Sequence, residues 1–136
     1  MAYQIKRRPR VKETLELCNA EGNVVLSVDA DVDVEAMGGR IAKAQDALRE
    51  ANALVTERPD SLEAREAFGK AVVILFALVF GEEGAGKIVT YYEGRYAEML
   101  IDVFPFLNDV VMPAVQKASA DRKRQLLQAA DAMRRK

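Results

Sequence analysis

The sequence of 136 residues contains no histidine, no tryptophan and a single cysteine, Cys18. Histidine is the most common metal ligand and the most common general base near neutral pH. Its absence excludes Ser-His-Asp triads, Cys-His dyads and zinc sites, and one cysteine excludes an internal disulfide. Carboxylate, lysine, tyrosine or phosphate-loop chemistry is what remains. We therefore expect a protein that is not an enzyme and binds neither metal nor cofactor.

Long apolar runs are also absent. The longest covers residues 71–80 and is shorter than the roughly 20 residues that a membrane-spanning helix needs. The basic N-terminus has no apolar segment after it, unlike a secretory signal. Half of the residues are apolar and 30% are charged, which is typical of a folded globular protein. We expect a cytoplasmic protein without a membrane partner.

Acidic residues are confined almost entirely to the middle of the chain. Residues 1–12 carry a net charge of +5 and residues 117–136 another +5, whereas residues 13–116 carry −11. Two interpretations stay open. Both ends are solvated tails, or they contact an acidic surface, a neighbouring copy or nucleic acid.

Alternating apolar and polar residues predict two strands near the N-terminus. Val11, Leu15 and Leu17 fall on one face of the first strand, and residues 24–30 alternate in the same way. The five residues between them, 19–23, contain the Gly and Asn that a tight connection requires. The pattern predicts a β-hairpin over residues 11–30.

The first predicted helix runs from Val34 to about Arg58. Its apolar residues recur at spacings of three and four, which is typical of a helix with one buried face. Asp31 or Asp33 is expected to cap its N-terminus, because a short polar side chain can accept a hydrogen bond from a free backbone N–H there.

The second predicted helix covers residues 62–80, with Asp60 or Ser61 as its cap and Gly81 at its end. Its second half, residues 71–80, is apolar on every side. A helix of this kind is buried on every side. We therefore expect it at the centre of the fold or against another subunit.

The rest of the chain is predicted to be helical as well. A short helix is expected up to Tyr92, followed by a turn at Glu93 and Gly94 and a further helix from Arg95. Pro105 and Pro113 lie inside that last pattern, and each is expected to kink or divide the helix.

These elements predict an α+β fold that is mostly α-helical. An N-terminal β-hairpin is followed by four to six helices around the central apolar helix of about 62–80. We expect one domain, 1–136. Its predicted parts are a basic N-terminal arm (1–10), the hairpin (11–30), a helical body (34–116) and a basic C-terminal helix or tail (117–136).

Two motifs resemble ligand sites but are incomplete. Residues 81–87 match the phosphate-loop pattern G-x-x-x-x-G-K, yet Ile88 replaces the Ser or Thr that binds magnesium, and two glutamates would repel phosphates. Asp29, Asp31 and Asp33 are spaced like the start of a calcium loop, but Val34 stands where that loop needs glycine. We discount both sites.

A third motif is more informative. In residues 75–104 an apolar helix ends in FGEE, a short helix with Lys-Ile and a tyrosine pair follows, and a glycine turn leads to an aromatic residue before Met-Leu. The matching residues are Phe80 to Glu83, Lys87, Ile88, Tyr91, Tyr92, Gly94, Tyr96, Met99 and Leu100. This stretch resembles the tail assembly chaperones of long-tailed bacteriophages and prophages.

The resemblance implies a non-enzymatic chaperone that binds the tape measure protein and helps recruit tail tube subunits. It also implies possible self-association and a small α+β fold. Methionine and aromatic side chains suit adaptable binding surfaces. The candidate partner-binding residues are Tyr91, Tyr92, Tyr96, Met99, Phe106 and Met112. Phe104 is a weaker candidate, because we expect it, with Leu100 and Leu107, to belong to the core.

Two alternatives are a small nucleic-acid-binding protein and a structural homo-oligomer of a phage or prophage. The basic ends favour the first alternative, and the strongly acidic body makes nucleic acid an unlikely partner.

Overall fold

The computed structural model describes residues 1–8 and 10–135, so that Pro9 and Lys136 of the two basic ends lie outside the described residues. The structure is mostly helical, with an antiparallel β-hairpin at its N-terminus. The elements in chain order are β1 (Val11–Cys18), β2 (Val24–Val32), α1 (Val34–Glu57), α2 (Leu62–Tyr91), α3 (Tyr96–Phe106), a π-helical turn (Leu107–Val111) and α4 (Met112–Arg134).

The hairpin forms where the alternating pattern predicts it. Leu17 pairs with Leu26 across the two strands, and the inner face of β2 packs on α2. The loop is closed by Asn19, whose side-chain oxygen accepts hydrogen bonds from the backbone N–H groups of Glu21 and Asn23 at 3.1 and 3.0 Å. The polar loop therefore supplies its own hydrogen bonds.

Both predicted helix starts have a side-chain cap. Asp33 accepts a hydrogen bond from the backbone N–H of Ala36 at 3.3 Å, and Ser61 accepts one from Ala64 at 3.2 Å. Each cap satisfies a backbone donor that has no partner within the helix. Of each predicted pair of cap residues, the one next to the helix is used.

Helix α2 lies at the centre of the fold, as its apolar sequence predicts. Val72, Phe76 and Val79 are completely buried, and every residue of the run 71–80 except Ile74 is buried or half-buried. The hairpin, α1 and α3 all pack against this helix. One cluster of buried apolar side chains connects the hairpin with all the helices.

Gly81 divides α2 into two helices that meet at a kink. Its backbone angles are φ 80° and ψ 163°, and the helix then resumes and continues to Tyr91. Glycine adopts this region of backbone space at little steric cost, whereas other residues almost never do. The first helix of α2 therefore ends at Gly81, as predicted, and the second continues beyond the kink.

With α2 counted as one element, three helical segments follow the hairpin within the described residues, so the predicted four to six helices is slightly too high. The backbone stays helical from Tyr96 to Arg134 through both Pro105 and Pro113. The π-helical turn lies between the two prolines. In this turn the Met112 N–H donates to the Leu107 carbonyl five residues earlier, and the two prolines do not divide the segment.

The two basic ends contact acidic residues at the end of β2 and the start of α1. The Arg10 Nε lies 2.6 Å from the Asp31 Oδ1, and the Arg122 Nη1 lies 3.3 Å from the Glu35 Oε2. Asp29 accepts a hydrogen bond from the Thr14 hydroxyl at 2.7 Å. The aspartates that resemble a calcium loop thus bind side chains of this same chain.

Candidate partner-binding groove

The structure divides the six predicted partner-binding residues into two groups. Tyr92, Met99 and Met112 are buried and belong to the apolar core. Because they pack against other core residues, a partner cannot reach them in this conformation. Their interpretation as surface residues needs correction here, since their helical face is turned inward.

Tyr91 is half-buried and ties α2 to the hairpin. Its hydroxyl donates a hydrogen bond to the backbone carbonyl of Cys18, and its ring meets that of Tyr92 edge-on, with 4.8 Å between the ring centroids. The contact joins residues that are distant in sequence. It indicates a structural role for this tyrosine pair.

Tyr96 and Phe106 are half-buried against α2. A Cβ added to Gly69 would lie only 2.7 Å from the Tyr96 ring, so the small residue allows the ring to pack closely. The Phe106 ring stacks on that of Phe80, with a centroid distance of 6.1 Å. The six predicted residues therefore do not form one continuous surface.

Burial of Tyr92 has a consequence at alkaline pH. Burial, and secondarily the carboxylate of Asp102, raises the pKa of Tyr92 well above its ordinary value of 10.0. The folded state therefore holds this proton more tightly than the unfolded state does. The resulting stabilisation is fully present below pH 10 and is lost as the pH rises further.

We expect the urea midpoint of the native protein to fall between pH 9 and about pH 11 more steeply than that of Tyr92→Phe, which has no phenolic proton to lose. Urea titrations of both proteins at the two pH values measure the difference. Equal decreases in the two midpoints would contradict the burial of this hydroxyl.

An apolar groove of about 570 Å³ lies between α1 and α3. We call it the α1–α3 groove. The buried residues at its base come from α1, α2 and the π-helical turn: Leu48, Phe68, Leu75 and Leu107. Since these residues also belong to the core, the groove has a packed and preformed base.

The α3 side of the groove exposes large apolar side chains. Ile101 is 71% exposed and Phe104 is 50% exposed, while the neighbouring Leu100 is half-buried. The prediction that Phe104 belongs to the core is wrong, whereas Leu107 is buried as expected. Phe104 shares a helical face with Leu107, but the gap between α1 and α3 leaves its ring uncovered.

The α1 side of the groove is more polar. Gln45, Arg49 and Asn52 line it, and the Arg49 guanidinium is held by Asp46 at 2.9 Å. An exposed apolar strip beside polar side chains is typical of a protein-binding site. The groove combines both features within one concave surface.

The apparent phosphate-loop motif has a helical structure. The Lys87 Nζ lies 3.5 Å from the Glu83 Oε1, one helical turn away, and residues 82–87 follow Gly81 as part of α2. Residues 1–8 and 10–135 hold no group of three or more potential metal ligands. Within the same residues no helix has the length and apolar character needed to cross a membrane.

The chain matches no protein-family model, no curated protein and no solved structure. Functional assignment therefore depends on the molecule's own surface. The α1–α3 groove is a concave part of that surface with an apolar base, and residue patterns alone did not predict it.

Proposed function

We propose that this protein is a non-enzymatic phage tail assembly chaperone that binds a helical segment of the tape measure protein in the α1–α3 groove and helps recruit tail tube subunits. The observation that carries the proposal is the exposure of Ile101 and Phe104 beside a preformed apolar base. In this proposal the protein acts in the cytoplasm of a bacterial host.

The shape of the groove favours a helical ligand. Two helices, α1 and α3, form its sides, and an amphipathic helix can lay its apolar face between them. Ile101 and Phe104 would contact that face, while Gln45 and Asn52 would hydrogen-bond its polar edge. The partner that the resemblance implies, the tape measure protein of long-tailed phages, is a long helical protein and would offer many such segments.

The segment that carries the family resemblance also builds the groove. Residues 75–104 include Leu75 from the base and Leu100, Ile101 and Phe104 from the α3 side. The resemblance and the exposed apolar surface thus involve the same part of the chain. This agreement supports a partner-binding function for that part.

The proposal predicts that Ile101→Asp lowers capture of the tape measure protein at least about tenfold, because it places a charge in the apolar contact. Leu62→Asp is the matched control, since Leu62 is 70% exposed, close to the 71% of Ile101, but lies at the start of α2 outside the groove. Both proteins are co-expressed with the tape measure protein of the same gene cluster, and the co-purified amount is measured.

Two outcomes would count against this function. In the first, the tape measure protein stays insoluble and unbound when co-expressed with the native chain. In the second, both variants capture it equally well, which would place any contact outside the groove. Thermal unfolding of both variants checks that each remains folded.

A further inference from the structure

The last part of α4 extends away from the body of the protein. Arg122 makes an ion pair with Glu35 of α1, and beyond it every described residue except Ala130 is exposed. Residues 123–134 nevertheless remain helical over about 18 Å. We call residues 123–134 the α4 tail.

The α4 tail carries an apolar stripe whose large side chains are left exposed by the described part of the chain. Leu126, Leu127, Ala130 and Met133 recur at the spacing of one helical face, and Leu127 is 56% exposed. Because α4 is continuous from Met112, the tail cannot fold back onto the groove of its own chain while it stays helical. The stripe is therefore accessible to another molecule.

Charge distinguishes between the possible partners. The segment 117–136 that contains the α4 tail has a net charge of +5, and residues 13–116 have −11. Two tails side by side would repel each other, whereas a tail and the body of another copy attract. The body also offers the α1–α3 groove, an apolar surface between two helices that suits a third helix.

We propose that the α4 tail of one copy docks in the α1–α3 groove of a second copy, with Leu126, Leu127 and Met133 facing Ile101 and Phe104. This contact is independent of the proposed function, because it involves the chain alone. It gives the groove an occupant when no other partner is present. A client helix would compete with the tail for the same surface.

Sedimentation equilibrium of the purified protein tests the contact. We expect the average mass to rise above that of the monomer as the protein concentration increases, and to rise less at high salt, which screens the attraction. Ile101→Lys and Leu127→Glu each place a charge in the apolar contact, and the new lysine also faces the basic tail. Each variant should weaken association at least tenfold, while Leu62→Lys should leave it unchanged.

Mixing the two weakened variants is the most specific experiment. In the mixture, the native tail of the Ile101→Lys protein meets the native groove of the Leu127→Glu protein. The reverse pairing brings the new lysine and the new glutamate together, which also favours contact. We therefore expect association in the mixture to exceed that of either variant alone.

Several results would overturn the proposal. One is a native protein that stays monomeric at every concentration. Another is association that Leu127→Glu removes but Ile101→Lys does not, which indicates pairing between tails. A third is a protein that binds to vesicles of anionic lipid but stays monomeric in sedimentation equilibrium, which indicates a membrane-surface helix. None of these results bears on capture of the tape measure protein, so the two proposals fail separately.

Discussion

Replacing Phe76 by alanine is expected to lower the free energy of unfolding by about 3–5 kcal/mol, the usual cost of removing a large buried aromatic side chain. Phe76 is completely buried in the middle of α2, and its ring lies 5.7 Å from that of Phe80. The substitution removes this contact and leaves a cavity at the centre of the fold. Urea unfolding followed by circular dichroism measures the loss.

Ile74→Ala is the matched control for Phe76→Ala. Ile74 lies two residues earlier in the same apolar run, but it is 49% exposed. Since about half of its surface is already in water, we expect a cost of about 1 kcal/mol. If both substitutions lowered the free energy of unfolding equally, α2 would not bury Phe76 and expose Ile74 as the structure shows.

Elements that depend on neighbouring residues could be predicted from the sequence. The hairpin follows from alternation at Val11, Leu15 and Leu17, because a strand places every second side chain on one face. The caps at Asp33 and Ser61 follow from the chemistry of short polar side chains next to free backbone donors. Such features need no knowledge of the rest of the fold.

The continuity of the helices could not be predicted in the same way. Proline disfavours a helix interior, and this local rule suggests a division at Pro105 or Pro113. In the structure the π-helical turn and the packing of Leu107 and Val111 in the core hold the segment together. Tertiary packing here outweighs the local preference, which the residue pattern alone does not reveal.

The candidate site could not be predicted from the sequence either, because tertiary packing decides which residues are exposed in the groove. Met99 and Ile101 are both apolar and lie two residues apart in α3, yet Met99 is completely buried and Ile101 is 71% exposed. Composition favours methionine as a binding residue, but the side on which α3 meets α2 decides which residue a partner can reach. The residue type therefore led to the prediction of Met99 as a binding residue, whereas Ile101 is the residue that the fold exposes.

The largest backbone effect is expected at Gly81. Alanine at φ 80° and ψ 163° would be strained, at a cost of about 1–3 kcal/mol. If the helix straightened instead, residues 82–91 would turn away from the core, and Ala85 and Ile88 would lose their burial. Either response lowers stability, so we expect Gly81→Ala to unfold at a lower urea concentration than the native protein.

Gly86→Ala provides the comparison, because its expected effect has the opposite sign. Gly86 lies in the regular part of α2 after Gly81, and a Cβ there would meet nothing within 4 Å. Alanine at such a position stabilises a helix by about 0.5–1 kcal/mol. Urea titrations of the two variants should therefore move the midpoint in opposite directions. A Gly81→Ala protein as stable as Gly86→Ala would mean that α2 tolerates a straight path, and that the packing of residues 82–91 on the hairpin does not depend on the interruption at Gly81.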